Sequence, residues 1–564
     1  MDYLLLFSFS LIIIISSIGY GFLISNIIEK NLLKFNLGYQ GLLGIFFLTL
    51  ISYISIFFTK HNYFHNIIIH IIGFSSFIYF LTKKRNFYEL KRLIAIFLIL
   101  FIGILIIVNH DDFNYYHLTY SLGLTENKIF FGLAQFQHGY KHHSSIFFFN
   151  SIIYLPFIKY YLFHSIGWFT IVFANYIIID YLIFKVSKNL KFEHFFYLLS
   201  LIFINIKFCR MGGYGTDLSG QIILIILLPL IYSTLKLKIS DKDFKSNLSI
   251  IILLISYTST LKSFFILNFL FIVPFLIFFN IRDILNFIFV SRTFLISFTT
   301  IIFLFLINIA YTGCVIYPIK ETCFEKQLSW SQKKDEVQHM SDWYQQWSKA
   351  GAGVQYRVKD PKEYIKKFNW VPNWYEKYFK YKFIEALNGI LVLSIIFLFI
   401  FRGINKEKPD KKEKRIFLAI YTITIILFFE WFYNHPALRY GGYHLLCMFI
   451  FIPLSYFFAK KNLQYSLKKK SIIVLIIFSF LIFNLRNVKR INEEFVRVPN
   501  NNFPLFFAPI QESKELNLEY NVKVYKPVGK YAGTGCWVVK TPCVSDINNT
   551  IVKKKYGFTI FVRD

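Results

Sequence analysis

The sequence is poor in acid and lacks three familiar devices. Asp and Glu number 32 against 62 Lys and Arg. There is no phosphate-binding glycine loop: Gly212-Gly213-Tyr214-Gly215 follows no strand, which excludes it as a nucleotide fingerprint. There is no internal repeat, which argues against a transporter built from related halves. No cleavable signal peptide is expected, because the first apolar run, 3–24, has neither a basic leader nor a small-residue cleavage site. The net charge of +30 would point to nucleic acid only if it were gathered on one folded surface. Here the basic residues fall in short loops, and no nucleic-acid partner is expected.

What the chain has in quantity is apolar sequence. Of its 564 residues, 55% are hydrophobic, and runs of about 18 or more apolar residues recur along it. The fold class read from this is an all-α polytopic membrane protein with about fourteen transmembrane helices. Interfacial helices and a small α+β extracytoplasmic tail complete it. The transmembrane domain is placed at 1–485, including extracytoplasmic loops 109–161 and 312–383, and the C-terminal domain at 486–564. Within 109–161, the stretches 118–131 and 145–157 read as amphipathic material lying flat in the interface. In the tail, 522–525, 536–539 and 558–562 read as short β-runs. The stretch 248–280 reads either as two short helices around Thr260-Leu261-Lys262-Ser263 or as one long kinked helix.

Orientation follows from Lys and Arg. Basic clusters at 83–92, 185–191, 236–245, 406–415 and 460–470 alternate with the apolar runs so as to share one side. The positive-inside rule makes that side cytoplasmic. Cysteine agrees. Cys314 with Cys323, and Cys536 with Cys543, are close pairs on the opposite side, where disulfides persist. The plainer alternative is four separate thiols. Cys209 and Cys447 read as ordinary small apolar residues.

The stretch around which the rest is organised is Asn109-His110-Asp111-Asp112-Phe113-Asn114-Tyr115-Tyr116-His117. It follows directly on the apolar run 94–108. Carboxylates beside hydrocarbon are costly, so Asp111 and Asp112, flanked by His110 and His117, read as functional. The alternative is that they cap the helix that follows. Other polar groups arrive at the same face. Arg210 and Asp217 follow one apolar run, Lys262 lies at the 248–280 junction, and Glu430, Arg439 and Tyr440 flank the break before the 444–459 run. Arg439 could instead snorkel to headgroups, Arg210 could pair with Asp217, and Glu430 calls for a cationic partner. Glycines after Tyr440 suit close approach of backbone to a ligand. His138, His142 and His143 match no strong metal-ligand spacing and are expected on the surface.

Carboxylates beside cations at an outer membrane face suit sugar transfer from a lipid-phosphate donor. An Asp takes the proton of the acceptor hydroxyl. Arg or Lys holds the charge that develops on the leaving phosphate. The motif residues His110-Asp111-Asp112-Phe113-Asn114-Tyr115-Tyr116-His117, then Ser121-Leu122-Gly123-Leu124-Thr125-Glu126-Asn127-Lys128, and later Arg439-Tyr440-Gly441-Gly442-Tyr443, resemble the GT-C superfamily of integral-membrane glycosyltransferases, within a largely uncharacterised bacterial GT-C-like family. The resemblance implies an inverting transferase that uses a polyprenyl-phosphate sugar donor and a glycan or lipid acceptor. It implies a bacterial inner membrane and a periplasmic active face. Asp111 or Asp112 would be the base, and Arg439, Arg210 and Lys262 would bind the donor phosphate. His110, His117, Asp217, Glu430 and Tyr440 would support them. No cofactor is required, and a divalent metal is compatible. One departure stands: in that superfamily the acidic loop follows the first helix, whereas here three apolar segments precede the one that delivers it. The competing readings are a polymerase or ligase of lipid-linked glycans, which needs no acidic pair, and a lipid or polysaccharide transporter or flippase.

Overall fold

A computed structural model describes residues 3–84, 87–105, 110, 112–185, 187–211, 215–353, 356–403, 411–497, 508–529, 535–544, 547 and 549–563. Asp111 and residues 212–214 lie outside this set.

Eleven of the described helices are long and apolar enough to cross a membrane, and the chain is a multi-pass helical membrane protein. They are Tyr3–Ile28, Leu37–Ser55, Tyr63–Lys83, Ile166–Phe184, Asp217–Thr234, Lys242–Leu261, Arg292–Thr312, Val371–Ile400, Lys411–Asn434, Leu438–Ala459 and Tyr465–Val496. The expected number was about fourteen, and the shortfall lies in three segments. The run read as 92–108 forms the α-helix Phe87–Leu100, 14 residues, and then Phe101–Ile104 in 3₁₀ geometry, 4 residues, while 106–108 lie outside the described residues. The run read as 194–208 forms Phe192–Lys207, 16 residues. The run read as 264–280 forms Ser263–Ile272 in 3₁₀ geometry, 10 residues, and then Val273–Phe278, 6 residues.

That last segment settles 248–280 as two elements joined at Lys262, whose extended backbone (φ −152°, ψ 136°) breaks the helix. A 3₁₀ helix rises about 2.0 Å per residue, so the pair reaches nearly 30 Å despite its few residues. Lys262 meets Asp217 at one end, and Phe279 packs on Phe244 at the other.

The two ends of the bundle differ in kind. At one end lie the basic loops, tied by Arg92 to Asp180 (3.1 Å) and Lys236 to Glu413 (2.8 Å). At the other lie the loops around 56–63, 110–165, 208–217 and 312–383, together with the C-terminal tail. Centrally placed helices are almost wholly enclosed: 89% of the apolar stretch of Asp217–Thr234 is buried, against 28% for Val371–Ile400. The first two spans pack tightly because Gly21 and Gly44 let Gln40 and Ser17 backbones approach where a Cβ would collide.

The segments expected to lie flat in the interface are enclosed by protein. Leu118–Glu126 and Ser145–Ile152 form helices whose residues are nearly all buried. The tail covers Leu118–Glu126 through Thr541 on Glu126, and Ser145–Ile152 lies against the bundle, where His61 Nδ1 meets the Ser151 hydroxyl (2.7 Å). The tail itself holds two antiparallel hairpins, Ser513–Asn517 with Lys523–Pro527 and Thr550–Lys555 with Phe558–Arg563. The 536–539 run contributes only an isolated bridge at Val538. The last long helix runs to Arg497, past the boundary placed at 485. Both expected disulfides are present, Cys314–Cys323 and Cys536–Cys543, while Cys209 and Cys447 are buried free thiols.

Candidate functional site

Four charged residues from distant parts of the chain meet at the end of the bundle away from the basic loops. Asp112 comes from the loop after the fourth apolar run. Its backbone N–H donates to His110 Nδ1 (3.1 Å), and its Oδ2 lies 3.4 Å from the same nitrogen. The His110 ring stacks on His117, with centroids 6.1 Å apart. Asp217 opens the Asp217–Thr234 helix, where a carboxylate complements the helix dipole. Its Oδ1 lies 3.5 Å from Lys262 Nζ.

Arg439 sits in the break before the last-but-one span. Its Nη2 donates to the Tyr440 hydroxyl (2.9 Å), and its guanidinium stacks on Trp347 (4.7 Å to the ring centre). Its carbonyl accepts from Gln221 Nε2 (2.8 Å), while Gln221 Oε1 accepts from His444 N–H (3.1 Å). One buried amide thus locks the strand of chain that presents Arg439. Arg439 Nε is buried without a hydrogen-bond partner. The glycines here also serve the chain. Gly441 takes φ +94°, and Gly442 leaves room for the Trp431 ring.

Tyr116 reports how close these groups are. Burial pushes its phenol well above the ordinary value, the charges of Asp112 and Asp217 push the same way, and Arg439 opposes them. His117 is held well below the usual histidine range by burial, and His110, Lys262 and Arg439 add to the effect. Asp112, Asp217 and Arg439 thus act together on Tyr116, and Lys262 and Arg439 on the adjoining His117.

The remaining site residues are distributed less tightly. Arg210 is exposed, and its charge acts on Cys209 together with those of Arg486, Arg490 and Lys207. Glu430 accepts from the neutral Asn434 amide (2.9 Å), not from a cation. It lines a cavity of about 40 Å³ with Trp431, His435, Tyr440 and His444. Asp111 lies outside the described residues.

Sequence reasoning missed a second shell of contacts. His138, His142 and His143, expected on the surface, are packed. His138 Nε2 and His142 Nε2 are 3.0 Å apart, and the Tyr344 hydroxyl reaches both, at 3.3 and 2.9 Å. His143 bonds the Tyr53 hydroxyl (2.7 Å). Burial pulls His138 down to about 4 and His143 to about 3. Tyr344 and Trp347 both come from the helix Lys334–Ser348, which spans the site from His142 to Arg439. Their approach leaves no local signature, since Trp and Tyr at 343–347 read equally well as an interfacial stripe.

The tail closes the other side. Thr541 donates from N and Oγ1 to Glu126 Oε2 (2.8 and 2.6 Å), and the Tyr140 hydroxyl donates to the Cys543 carbonyl (3.2 Å). Phe131 pairs with the last hairpin: its N–H donates to the Thr559 carbonyl (3.0 Å), and its carbonyl accepts from the Phe561 N–H (2.8 Å). Among the described residues there is no group of three or more His, Cys, Asp or Glu placed to hold a metal ion.

Fold and site together define a multi-pass helical membrane protein with a capped, mixed-charge site at one end of its bundle. Residues 3–446 match the family described as a domain of unknown function (DUF8201), and the chain belongs to that family. No curated protein and no solved structure matches the chain.

Proposed function

We propose that the protein is a membrane glycosyltransferase of GT-C type, moving a sugar from a polyprenyl-phosphate donor to a glycan or lipid acceptor on the extracytoplasmic side. The observation that carries the reading is the meeting of Asp112, Asp217, Lys262 and Arg439 beside buried aromatic walls. Asp112, half-exposed and adjoining Asp111 in sequence, takes the proton of the acceptor hydroxyl. The acceptor oxygen bonds to the anomeric carbon as its bond to the phosphate oxygen breaks. The electron pair leaves with the polyprenyl phosphate, and the proton stays on the Asp carboxylate until solvent removes it. Arg439 and Lys262 hold the negative charge that grows on the leaving phosphate, an effect strongest where water is excluded. Asp217 keeps Lys262 at the break between its two helices.

The test is transfer of radiolabelled sugar from polyprenyl-phosphate donor in proteoliposomes. Asp112→Asn and Asp111→Asn are each compared with the unaltered protein. Loss of about 10²–10⁴ in rate is expected for the variant that removes the base. Full transfer by the Asp111→Asn, Asp112→Asn double variant would sink the reading and leave a polymerase or ligase that works without an acidic pair.

A further inference from the structure

The basic end of the bundle holds a much larger cavity, about 570 Å³. It lies between the exit of Tyr3–Ile28, the start of Lys242–Leu261 and the short helix Ile281–Val290. That helix, 10 residues long, spans only about 15 Å and cannot cross a bilayer. Ile281, Leu285 and Phe289 recur every fourth residue and are exposed, and Ile284 is the one fully buried position. An amphipathic helix with its apolar stripe uncovered at the rim of a bundle lies in the membrane interface. The cavity behind it therefore opens at headgroup depth.

Its lining is charged but balanced. Lys245 and Arg292 supply two cations, and Glu29 and Asp283 supply two anions, among Phe244, Phe287 and small polar residues. Two of the four are fixed by the protein. Glu29 Oε1 accepts from Asn31 Nδ2 (3.0 Å), and Arg292 Nη1 donates to the Ile27 carbonyl (2.6 Å). Lys245 and Asp283 enter no ion pair or side-chain hydrogen bond among the described residues. Acids beside bases do not favour a ligand with net negative charge. A choline group would call for an aromatic cage, and this cavity offers carboxylates, which accept N–H bonds.

We infer that the cavity binds a zwitterionic phospholipid with a primary ammonium, that is, phosphatidylethanolamine. Its phosphate meets Lys245 and Arg292, its ammonium meets Asp283 and Glu29, and its acyl chains run along the exposed face of Ile281–Val290. This site lies at the opposite end from the proposed transfer site and does not depend on it.

Native mass spectrometry of the full-length protein in detergent, titrated with phosphatidylethanolamine, phosphatidylglycerol or phosphatidylcholine, tests the inference. Phosphatidylethanolamine is expected to be retained about tenfold better than either competitor, equivalent to about 1.4 kcal/mol. Asp283→Asn should abolish the preference over phosphatidylcholine. Lys245→Gln should weaken retention of both lipids. Both positions are exposed, and thermal unfolding of each variant should match the parent. Soluble phosphoethanolamine at the same concentration should displace nothing. Equal retention of the three lipids, an unchanged preference in Asp283→Asn, or displacement by soluble phosphoethanolamine would each overturn it.

Discussion

The two ends of the bundle use the same charged residue types to opposite effect. At the basic end, Lys469 and Lys470 stand in solvent, where exposed charges are screened and contribute little. At the other end, Lys262 and Asp217 keep only 21% and 12% of their side-chain surface exposed. Arg439 there is pinned between a tyrosine hydroxyl and a tryptophan face. Solvent-facing lysines such as Lys469 and Lys470 set orientation through their number, so either of them is replaceable. Cations at the second end act through position, and position is held by other elements: Gln221 for Arg439, the helix break for Lys262. Enclosure by the Lys334–Ser348 helix and the tail is what turns surface charge into a site.

That contrast can be broken or sharpened by experiment. Arg439→Gln should cost about 10²–10³ in transfer rate in the proteoliposome assay, the scale for losing one donor to a developing anion. Arg439→Lys should recover only part of this, because an ammonium neither stacks on Trp347 nor presents a planar fork. Next is acid. The folded values of His138 and His142 lie below the unfolded one, with burial the main cause. The unfolded state then binds more protons below about pH 6.5. The stability these rings contribute is present above that pH and is lost as pH falls toward about 4. Protection of the Lys334–Ser348 amides, taken relative to the intrinsic exchange rate at each pH, should therefore fall between pH 7 and pH 5, and a His138→Gln, His142→Gln variant should flatten that fall.

Glu126→Ala removes the acceptor for both Thr541 donors and should cost about 1 kcal/mol locally. Faster exchange in 536–543, with the bundle helices unchanged, is the readout; protection unchanged in the tail would show that the aromatic contacts of Phe561 hold it unaided. Smallest of all, Lys469→Gln with Lys470→Gln should leave transfer unaltered and shift stability by less than about 0.5 kcal/mol. A large loss of activity from that pair would erase the distinction between the ends.

Legibility of the fold varied with the kind of interaction involved. Eleven spans could be read because hydrocarbon demands long apolar runs, and each long helix coincides with one such run. Three runs misled on length. A run of hydrophobic residues also describes a short helix buried among its neighbours, as Phe192–Lys207 is. Hydropathy does not distinguish an α-helix from the stretched 3₁₀ segment at Ser263–Ile272. The disulfides were readable from spacing and side. Histidines at 138–143 were misplaced because the partner that packs them, Tyr344, lies some two hundred residues on.

Composition and order of residues were enough to show a helical membrane protein, to show which helix ends carry charge, and to pick out the cysteine pairs that the structure joins. These follow from one-dimensional quantities: run length, loop charge and spacing. It took the folded chain to show that Asp112, Asp217, Lys262 and Arg439 act on the adjoining Tyr116 and His117, that Gln221 holds the arginine in place, and that a loop helix and the tail close over them. Such contacts join residues hundreds of positions apart. They depend on how helices tilt and where they break, which local composition leaves undetermined.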